Sequence, residues 1–233
     1  MSTSPPDAPM PPHRPQLTLI VAATHNLGIG KNGTLPWPSL KSEMAYFARV
    51  TKRPPHSSPS GTKNAVIMGR KTWESIPPKF RPLKDRVNVV VTSSGRLASV
   101  EPEKAREQGI VVTTSLEEAV DCLRAAGEKG AKSMGDAPTS LPPIGKLFII
   151  GGSSLYRAAL DLPQAKRVLL TKIYKEYDCD TFFPLDLEGE EGKRRGWVKT
   201  SKQELEEFVG EDIEDTRMKE GDVEFELCMF ERG

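Results

Sequence analysis

Cysteine is scarce in this 233-residue chain: Cys122, Cys179 and Cys228 are the only three, and they lie far apart. An odd, scattered set gives neither a disulfide framework nor a metal-ligand spacing, and implies free thiols in a reducing compartment. Histidine is as sparse, and His13, His25 and His56 show no paired spacing, so no metal site is expected. No apolar run approaches the ~18 residues of a membrane span. The N-terminus lacks the charged-then-apolar pattern of a secretory signal, which leaves a soluble, cytoplasmic protein as the expectation. An excess of one charge is missing too, since 33 Lys and Arg face 32 Asp and Glu for a formal net charge of +1. That balance argues against nucleic acid as the main ligand and points to a small molecule.

What is present is an ordinary globular composition, 37% apolar with 19 glycines, enough for a sizeable core. The length fits one domain with decorations. Residues 1–15, MSTSPPDAPMPPHRP, cannot bury enough surface to offset their ordering entropy and read as a disordered tail. QLTLIVAAT (16–24) then supplies a strand buried on both faces, with similar runs at NAVIM (64–68), VNVVVT (87–92), KLFII (146–150) and KRVLLTKIY (166–174). Helix-length segments at 39–51, 70–76, 115–126 and 153–161 lie between them, and the alternation predicts an α/β fold with a mostly parallel sheet. The C-terminal DVEFELCMFER alternates like an antiparallel edge strand. Segments 127–145 and 186–196, dense in Gly, Pro and charge, read as surface insertions. The triplet Lys193-Arg194-Arg195 is better read as a solvated loop tip than as a nuclear signal.

Gly28-Ile29-Gly30-Lys31-Asn32-Gly33 matches G-x-G-x-x-G, the dinucleotide fingerprint of a Rossmann domain. Such a fingerprint must open into a helix and be followed by an acid about 20 positions on. Here Pro36 and Pro38 interrupt the expected first helical turns and Lys52-Arg53 replaces the acid, so the glycines describe a loop. A helix capped by Ser39 is predicted from Leu40 to about Thr51, with Leu40, Met44 and Phe47 as its buried stripe. At roughly 100° per residue, Glu43 falls about 40° from Phe47 and about 20° from Val50, on the apolar side. Two explanations stay open on pattern alone: a glutamate paired with Lys41 or a distant arginine, or an acid whose pKa is raised by desolvation for function.

These residues stand within a larger set. Val21-Ala22-Ala23 with GIGKNGTLPWPSLKSEMAYF, VIMGRKTWESIP (66–77), RPLKDR (81–86), FIIGGSSLY (148–156), LTKI (170–173) and DTFFP (180–184) occur in this order. Over about residues 17–232 they resemble the dihydrofolate reductase family, and the proline-flanked Trp37 is similar to its eukaryotic, fungal-like members. The resemblance implies a single domain on a twisted eight-stranded mixed, mostly parallel sheet flanked by four helices. It implies reduction of 7,8-dihydrofolate to tetrahydrofolate by hydride transfer from NADPH to pterin C6 with protonation of N5, serving one-carbon metabolism and thymidylate supply. Antifolate-like molecules would be ligands, the protein would be a monomer, and no membrane or metal is involved.

By the same resemblance Glu43 is the pocket carboxylate, Thr171 its hydrogen-bond partner, and Trp37 the holder of a water nearby. Val21, Ala22, Met44, Phe47, Ile76, Leu83, Ile150 and Tyr156 would surround the substrate rings. Arg86 would grip the α-carboxylate of the glutamate tail, a task suited to a bidentate, permanently charged guanidinium. For NADPH, Ala22, Ile29, Gly30, Gly33 and Leu35 would line or cover the nicotinamide. Gly69, Arg70, Lys71 and Thr72 would serve one phosphate-facing helix start, Gly151, Gly152, Ser153, Ser154, Leu155 and Tyr156 the other, with Thr92, Ser93 and Ser94 beside them. The Gly151-Gly152 bond is cis in the family. The sequence departs from many relatives in lacking arginine at Ser93 and Thr114, where it neutralises the 2′-phosphate; Arg70 and Arg96 are the cations that remain.

Two rivals fit less well. A pterin or pyrimidine reductase of the riboflavin-synthesis kind has no need for Glu43, Thr171 and Arg86 together, and a catalytically silent folate- or NADP-binding protein has no need for the acid. No length remains within the 233 residues for a fused thymidylate synthase, so none is expected.

Overall fold

The computed structural model describes residues 15–127 and 141–233. The expected tail therefore lies almost wholly, and the 127–145 insertion mostly, outside the described residues. The chain opens with strand β1 (Leu17–Thr24), short strand β2 (Gly28–Gly30), helix α1 (Lys41–Lys52), β3 (Lys63–Gly69) and α2 (Arg70–Ser75). It continues through β4 (Val87–Val91), α3 (Pro102–Glu107), β5 (Ile110–Thr113), α4 (Leu116–Gly127), β6 (Ile144–Ile149) and α5 (Ser153–Asp161). The last third holds β7 (Ala165–Ile173), β8 (Thr181–Phe182), α6 (Glu190–Arg194), β9 (Val198–Lys199), α7 (Lys202–Val209), β10 (Arg217–Glu220) and β11 (Val223–Glu231).

Eight strands form one path in the order β10-β11-β7-β1-β6-β3-β4-β5, and two-residue β9 adds to β11. Pairings from β7 through β5 are parallel, while β11 runs antiparallel to β7, β9 and β10. The architecture is thus the expected α/β one with a mixed, mostly parallel sheet between helices. Alternating side chains feed two cores: Leu17, Leu19 and Val21 of β1 face α4 and α5, whereas Ile20 faces α1, α2, α3 and α7. Burial on both faces is why the parallel strands read as unbroken aliphatic runs, each fully buried Val, Leu or Ile contributing ~1.5–3 kcal/mol.

Several expectations need correction. The C-terminal strand is interior, flanked by β7 and β10, because the short polar β10 takes the edge. The four expected helices are present, and α3, α6 and α7 join them. Residues 186–196 are no irregular insertion: Leu187 is buried and α6 forms there, with Arg194 and Arg195 paired to Glu191 and Arg195 also to Asp161. Helix α1 starts at Lys41 after an uncapped Leu40, so Ser39 is not its cap. Glu220 of β10 takes that role, accepting from Lys41 N at 2.7 Å, Ser42 N at 2.9 Å and the Ser42 hydroxyl. A carboxylate there satisfies orphan N–H groups and meets the positive end of the helix dipole. The buried stripe is Glu43, Tyr46 and Val50, while Met44 is 46% exposed and Phe47 half-buried. Helix α1 therefore lies with its Met44–Phe47 edge toward open space beside the sheet.

Two buried asparagines set the far end of this arrangement. Asn64 Nδ2 donates to Thr51 O at 3.1 Å and Arg53 O at 2.8 Å, and its Oδ1 accepts from Lys146 N at 2.9 Å, tying the end of α1 to β3 and β6. Asn88 accepts from Leu83 N and donates to Leu83 O and Arg86 O, which pins the 83–86 segment. Replacing Asn64 by Ala strands two carbonyls and one N–H in the core, so Asn64→Ala lowers stability by about 2–4 kcal/mol, read as a lower denaturant midpoint with an unchanged slope.

Candidate active site

A cleft of about 1550 Å³ opens beyond the carboxyl ends of β1, β3, β4 and β6, the position where open α/β sheets bind ligands. Its floor is Ala22, Gly69, Val91 and the Ile150-Gly151-Gly152 segment, and α1 forms one wall. The Gly151-Gly152 peptide is cis. Gly151 has φ +125, and a Cβ there or on Gly152 would come within 3.2 and 3.4 Å of Thr72 Oγ1. Gly151 is glycine because its φ is one that residues with a Cβ rarely adopt and because the backbone passes close to Thr72 at the start of α2, whereas a Cβ on Gly152 would make only a near-ordinary contact. The Gly151 carbonyl accepts from Gly69 N at 2.8 Å, which locks the two helix starts together.

The glycine-rich segment makes a ribbon and a turn rather than a helix start, as its prolines required. Gly28 pairs with Phe182 and Gly30 with Thr181. A Cβ on Gly28 would strike Cys179 Sγ and lie 2.9 Å from Thr24 Oγ1, so only glycine fits. The following turn is held by Asn32 N to Asp180 Oδ2 at 2.8 Å and by Lys31 to Asp178 at 2.9 Å.

Glu43 projects from α1 into the cleft and is only 8% exposed. Its one hydrogen bond among the described residues is to Thr171 of β7, whose hydroxyl donates to Oε1 at 3.3 Å; Lys41 does not pair with it. Burial raises the carboxyl pKa to about 7 against the smaller opposing effect of Thr171. Such a group exchanges its proton in the neutral range, a property of general acids. Trp37 is buried beside it on the cleft wall, edge-on to Tyr177 at 6.0 Å, and its indole N–H has no protein acceptor among the described residues.

Arg86, in the segment after α2, donates from Nε to Lys84 O at 3.0 Å and from Nη1 to Thr51 Oγ1 at 2.8 Å. Burial pushes its pKa down to about 10, and no carboxylate pairs with it among the described residues. A half-buried cation whose hydrogen bonds go to a carbonyl and a hydroxyl, with the Phe47 ring at 6.0 Å and only the more distant charge of Asp85 to offset it, can accept an anionic ligand. At the other end Arg70 lines the cleft but is engaged by Glu74 at 2.7 and 2.9 Å. Thr114 is bonded instead to the Glu118 carboxylate at 2.6–2.7 Å.

The predicted site residues converge to a large degree. Val21, Ala22, Met44, Phe47, Ile76, Leu83, Ile150 and Tyr156 line the cleft, as do Ile29, Gly30, Gly33, Leu35, Gly69, Lys71, Thr72, Thr92, Ser93, Ser153 and Ser154. Three stand off its surface. Thr171 lies behind Glu43, Leu155 points into the core under α5, and the exposed Ser94 is turned to Thr92 and to Arg96 O. The sequence reading missed Ala48, Lys52, Lys79, Phe80, Lys84, Asp180 and Thr181 on the lining. Ala48 and Lys52 follow Met44 by one and two turns, so helical period carried a signal for them; Asp180 and Thr181 arrive only through the β2–β8 pairing.

Comparison with known proteins agrees with this geometry. The family model for dihydrofolate reductase matches residues 16–208. The chain is 40% identical over 217 residues to the dihydrofolate reductase of Pneumocystis carinii, covering 93% of this chain and 96% of that protein. It is 42% identical over 230 residues to that of Schizosaccharomyces pombe, covering 92% of this chain and 47% of that longer protein. Among solved structures, Schistosoma mansoni dihydrofolate reductase is similar with a TM-score of 0.67 at 34% identity, covering 94% of this chain and 100% of that one. With the family model spanning most of the chain and relatives of this identity covering nearly all of it, the chain belongs to the dihydrofolate reductase family of oxidoreductases.

Proposed function

We propose that the protein is a monomeric, NADPH-dependent dihydrofolate reductase of eukaryotic, fungal-like type that reduces 7,8-dihydrofolate to tetrahydrofolate. Its three cysteines are free thiols, in keeping with a reducing compartment such as the cytoplasm. The observation that carries the reading is Glu43, a single desolvated carboxylate in a cleft otherwise walled near it by apolar side chains. An ionised carboxylate accepts hydrogen bonds only. It therefore matches the paired N–H donors on the amino-pyrimidine edge of a pterin and fixes which ring face is presented. That orientation is the larger part of the rate gain, since positioning alone supplies several kcal/mol.

The cleft also fits the dinucleotide. Gly151 leaves bare backbone where a Cβ would crowd Thr72, the free N–H groups at the start of nine-residue α5 follow directly after Gly152, and Lys71 adds a cation. These features suit a pyrophosphate. When bound, NADPH supplies the hydride. Met44, Phe47, Ile76 and Leu83 exclude water from the rings, Arg86 anchors the tail carboxylate, and Thr171 orients Glu43. Glu43, half protonated near pH 7, holds the proton destined for N5, with a water on the Trp37 indole N–H as the carrier.

The assay that tests this is oxidation of NADPH by purified protein, which should require dihydrofolate and stop with pterin-like antifolates; turnover of another heterocycle instead would sink the assignment. Arg86→Leu raises KM for dihydrofolate by a factor on the order of 30 or more, because loss of a desolvated ion pair costs ~2–5 kcal/mol. Pterins without a glutamate tail are the control and should lose little.

For Glu43 the pH dependence has a definite sign. Wild-type hydride transfer falls as pH rises through about 7, the pKa of the buried acid. Glu43→Gln is slow throughout and recovers partly at low pH, where solvent supplies the proton. Stability also has a definite sign: with the folded pKa raised from 4.5 to about 7, the fold loses stability as pH rises between those two values, the cost being complete above about pH 7 and absent at the acid end of the range. Glu43→Gln should therefore equal wild type near pH 4 and exceed it by at most about 3 kcal/mol at pH 8. Denaturant midpoints across the range check this, and an amide variant that barely folds would make Glu43 structural.

A further inference from the structure

A smaller hollow of about 210 Å³ lies by the amino end of β6, at the opposite end of the sheet from the cleft. It is bounded by Arg53, Pro54, Pro55 and His56 after α1, by Lys146 of β6, and by residues 207–210 at the end of α7. Cations crowd it. Lys146 Nζ stands 4.2 Å from the centre of the Phe208 ring, and the guanidinium of Arg167 on β7 is 4.8 Å from the same ring. Both guanidiniums have carboxylates, Arg53 having Glu211 at 3.2 Å and Arg167 having Glu231. Lys146 has no carboxylate in ion-pair range among the described residues; its ammonium donates to Phe208 O. Burial, with Arg167 and Arg53 beside it, pushes its pKa down to about 8. The exposed His56 approaches Arg53 at Gly210, where a Cβ would lie 3.3 Å from Arg53 Cδ and 3.6 Å from His56 Nε2. Glu207 is on the exposed rim and is held by Gln203 at 3.0 Å.

Part of this arrangement serves α7. Lys146 and Arg53 donate to the carbonyls of Phe208, Val209 and Gly210 at its C-terminal end, where cations suit the helix dipole. That role uses one of the three donors on an ammonium and leaves the hollow beside it unexplained. We propose that the hollow binds a small organic monoanion, a carboxylate carried on a ring-sized apolar body. The carboxylate takes the remaining donors of Lys146, and the body packs among Pro54, Pro55, Phe208 and Val209. A half-buried ammonium beside two guanidiniums and short of counter-charge carries a local cost that an anion relieves. Inorganic phosphate suits the place less, because apolar walls leave most of its oxygens without a donor. None of this depends on the chemistry of the main cleft.

The test is titration of the full chain with benzoate, followed by the NMR shifts of backbone amides. Lys146, Phe208 and Gly210 report on the hollow, and Ala22, Gly69 and Gly151 report separately on the cleft. Near neutral pH the first set should shift together and saturate with a Kd on the order of 1 mM. Benzyl alcohol, the neutral analogue, and inorganic phosphate should each bind roughly tenfold or more weakly. Benzoate affinity should fall as pH rises through about 8, where Lys146 loses its proton. His56→Gln should leave that fall in place, and Lys146→Arg should bind without it. Lys146→Gln should lose about tenfold in affinity, and the pH profile of wild type tests the proposal without any variant. Benzyl alcohol or phosphate binding as tightly as benzoate, shifts that never saturate, an affinity that is flat through pH 8, or full affinity in Lys146→Gln overturns it.

Discussion

Glu43 sits on the sheet-facing side of α1, where a carboxylate loses most of its hydration and regains one hydrogen bond, from Thr171 at 3.3 Å. Desolvation exceeds that compensation, and the pKa rises to about 7. Much of the surrounding structure serves to keep the helix where this imbalance persists. A small rotation of α1 would carry Glu43 toward the solvent that reaches Met44, and the acid would revert to an ordinary surface glutamate.

That rotation is opposed at both ends of α1 by groups remote in sequence. Glu220 caps the first turn, and Asn64 takes the carbonyls of Thr51 and Arg53 at the last. Arg49 and Arg53 reach Glu211 beyond α7. The Thr51 hydroxyl, itself bonded to Phe47 O, receives Arg86, so the helix that positions the acid also positions the cation at the cleft mouth. Glu43 and Arg86 are thereby held on one frame, at fixed positions along the same cleft.

Local pattern carried much of this. The aliphatic runs, the helix-length segments between them and the prolines after Gly33 gave the layered α/β fold and ruled out a Rossmann helix. The apolar side of α1 already contained Glu43. Missed elements were of two kinds. Helix α7 had a readable signature, a capping box of Ser201 with Glu204 and a left-handed Gly210 at its end, which polar surroundings obscured. Helix α6 had none, because its order comes from Leu187 entering the core below a segment rich in glycine and charge. The Met44–Phe47 stripe was misassigned since a cleft wall and a core face share one helical period.

By itself the sequence determined which segments bury two faces, that the glycine motif could not open a helix, and that an acid lies on the inner side of α1; these follow from side-chain type and local period. Residue pattern left open whether this acid pairs with a cation, and tertiary structure decided that its partner among the described residues is Thr171, 128 positions away, as the family resemblance implied. It also decided that Glu220 rather than Ser39 caps α1, that among the described residues Arg70 is paired with a carboxylate while Arg86 is not, and that Lys52, Lys79 and Lys84 share a mouth with Arg86. The physical reason is common to all four. Desolvation and electrostatic pairing depend on distance through space, and one window of sequence records only the distances along the chain.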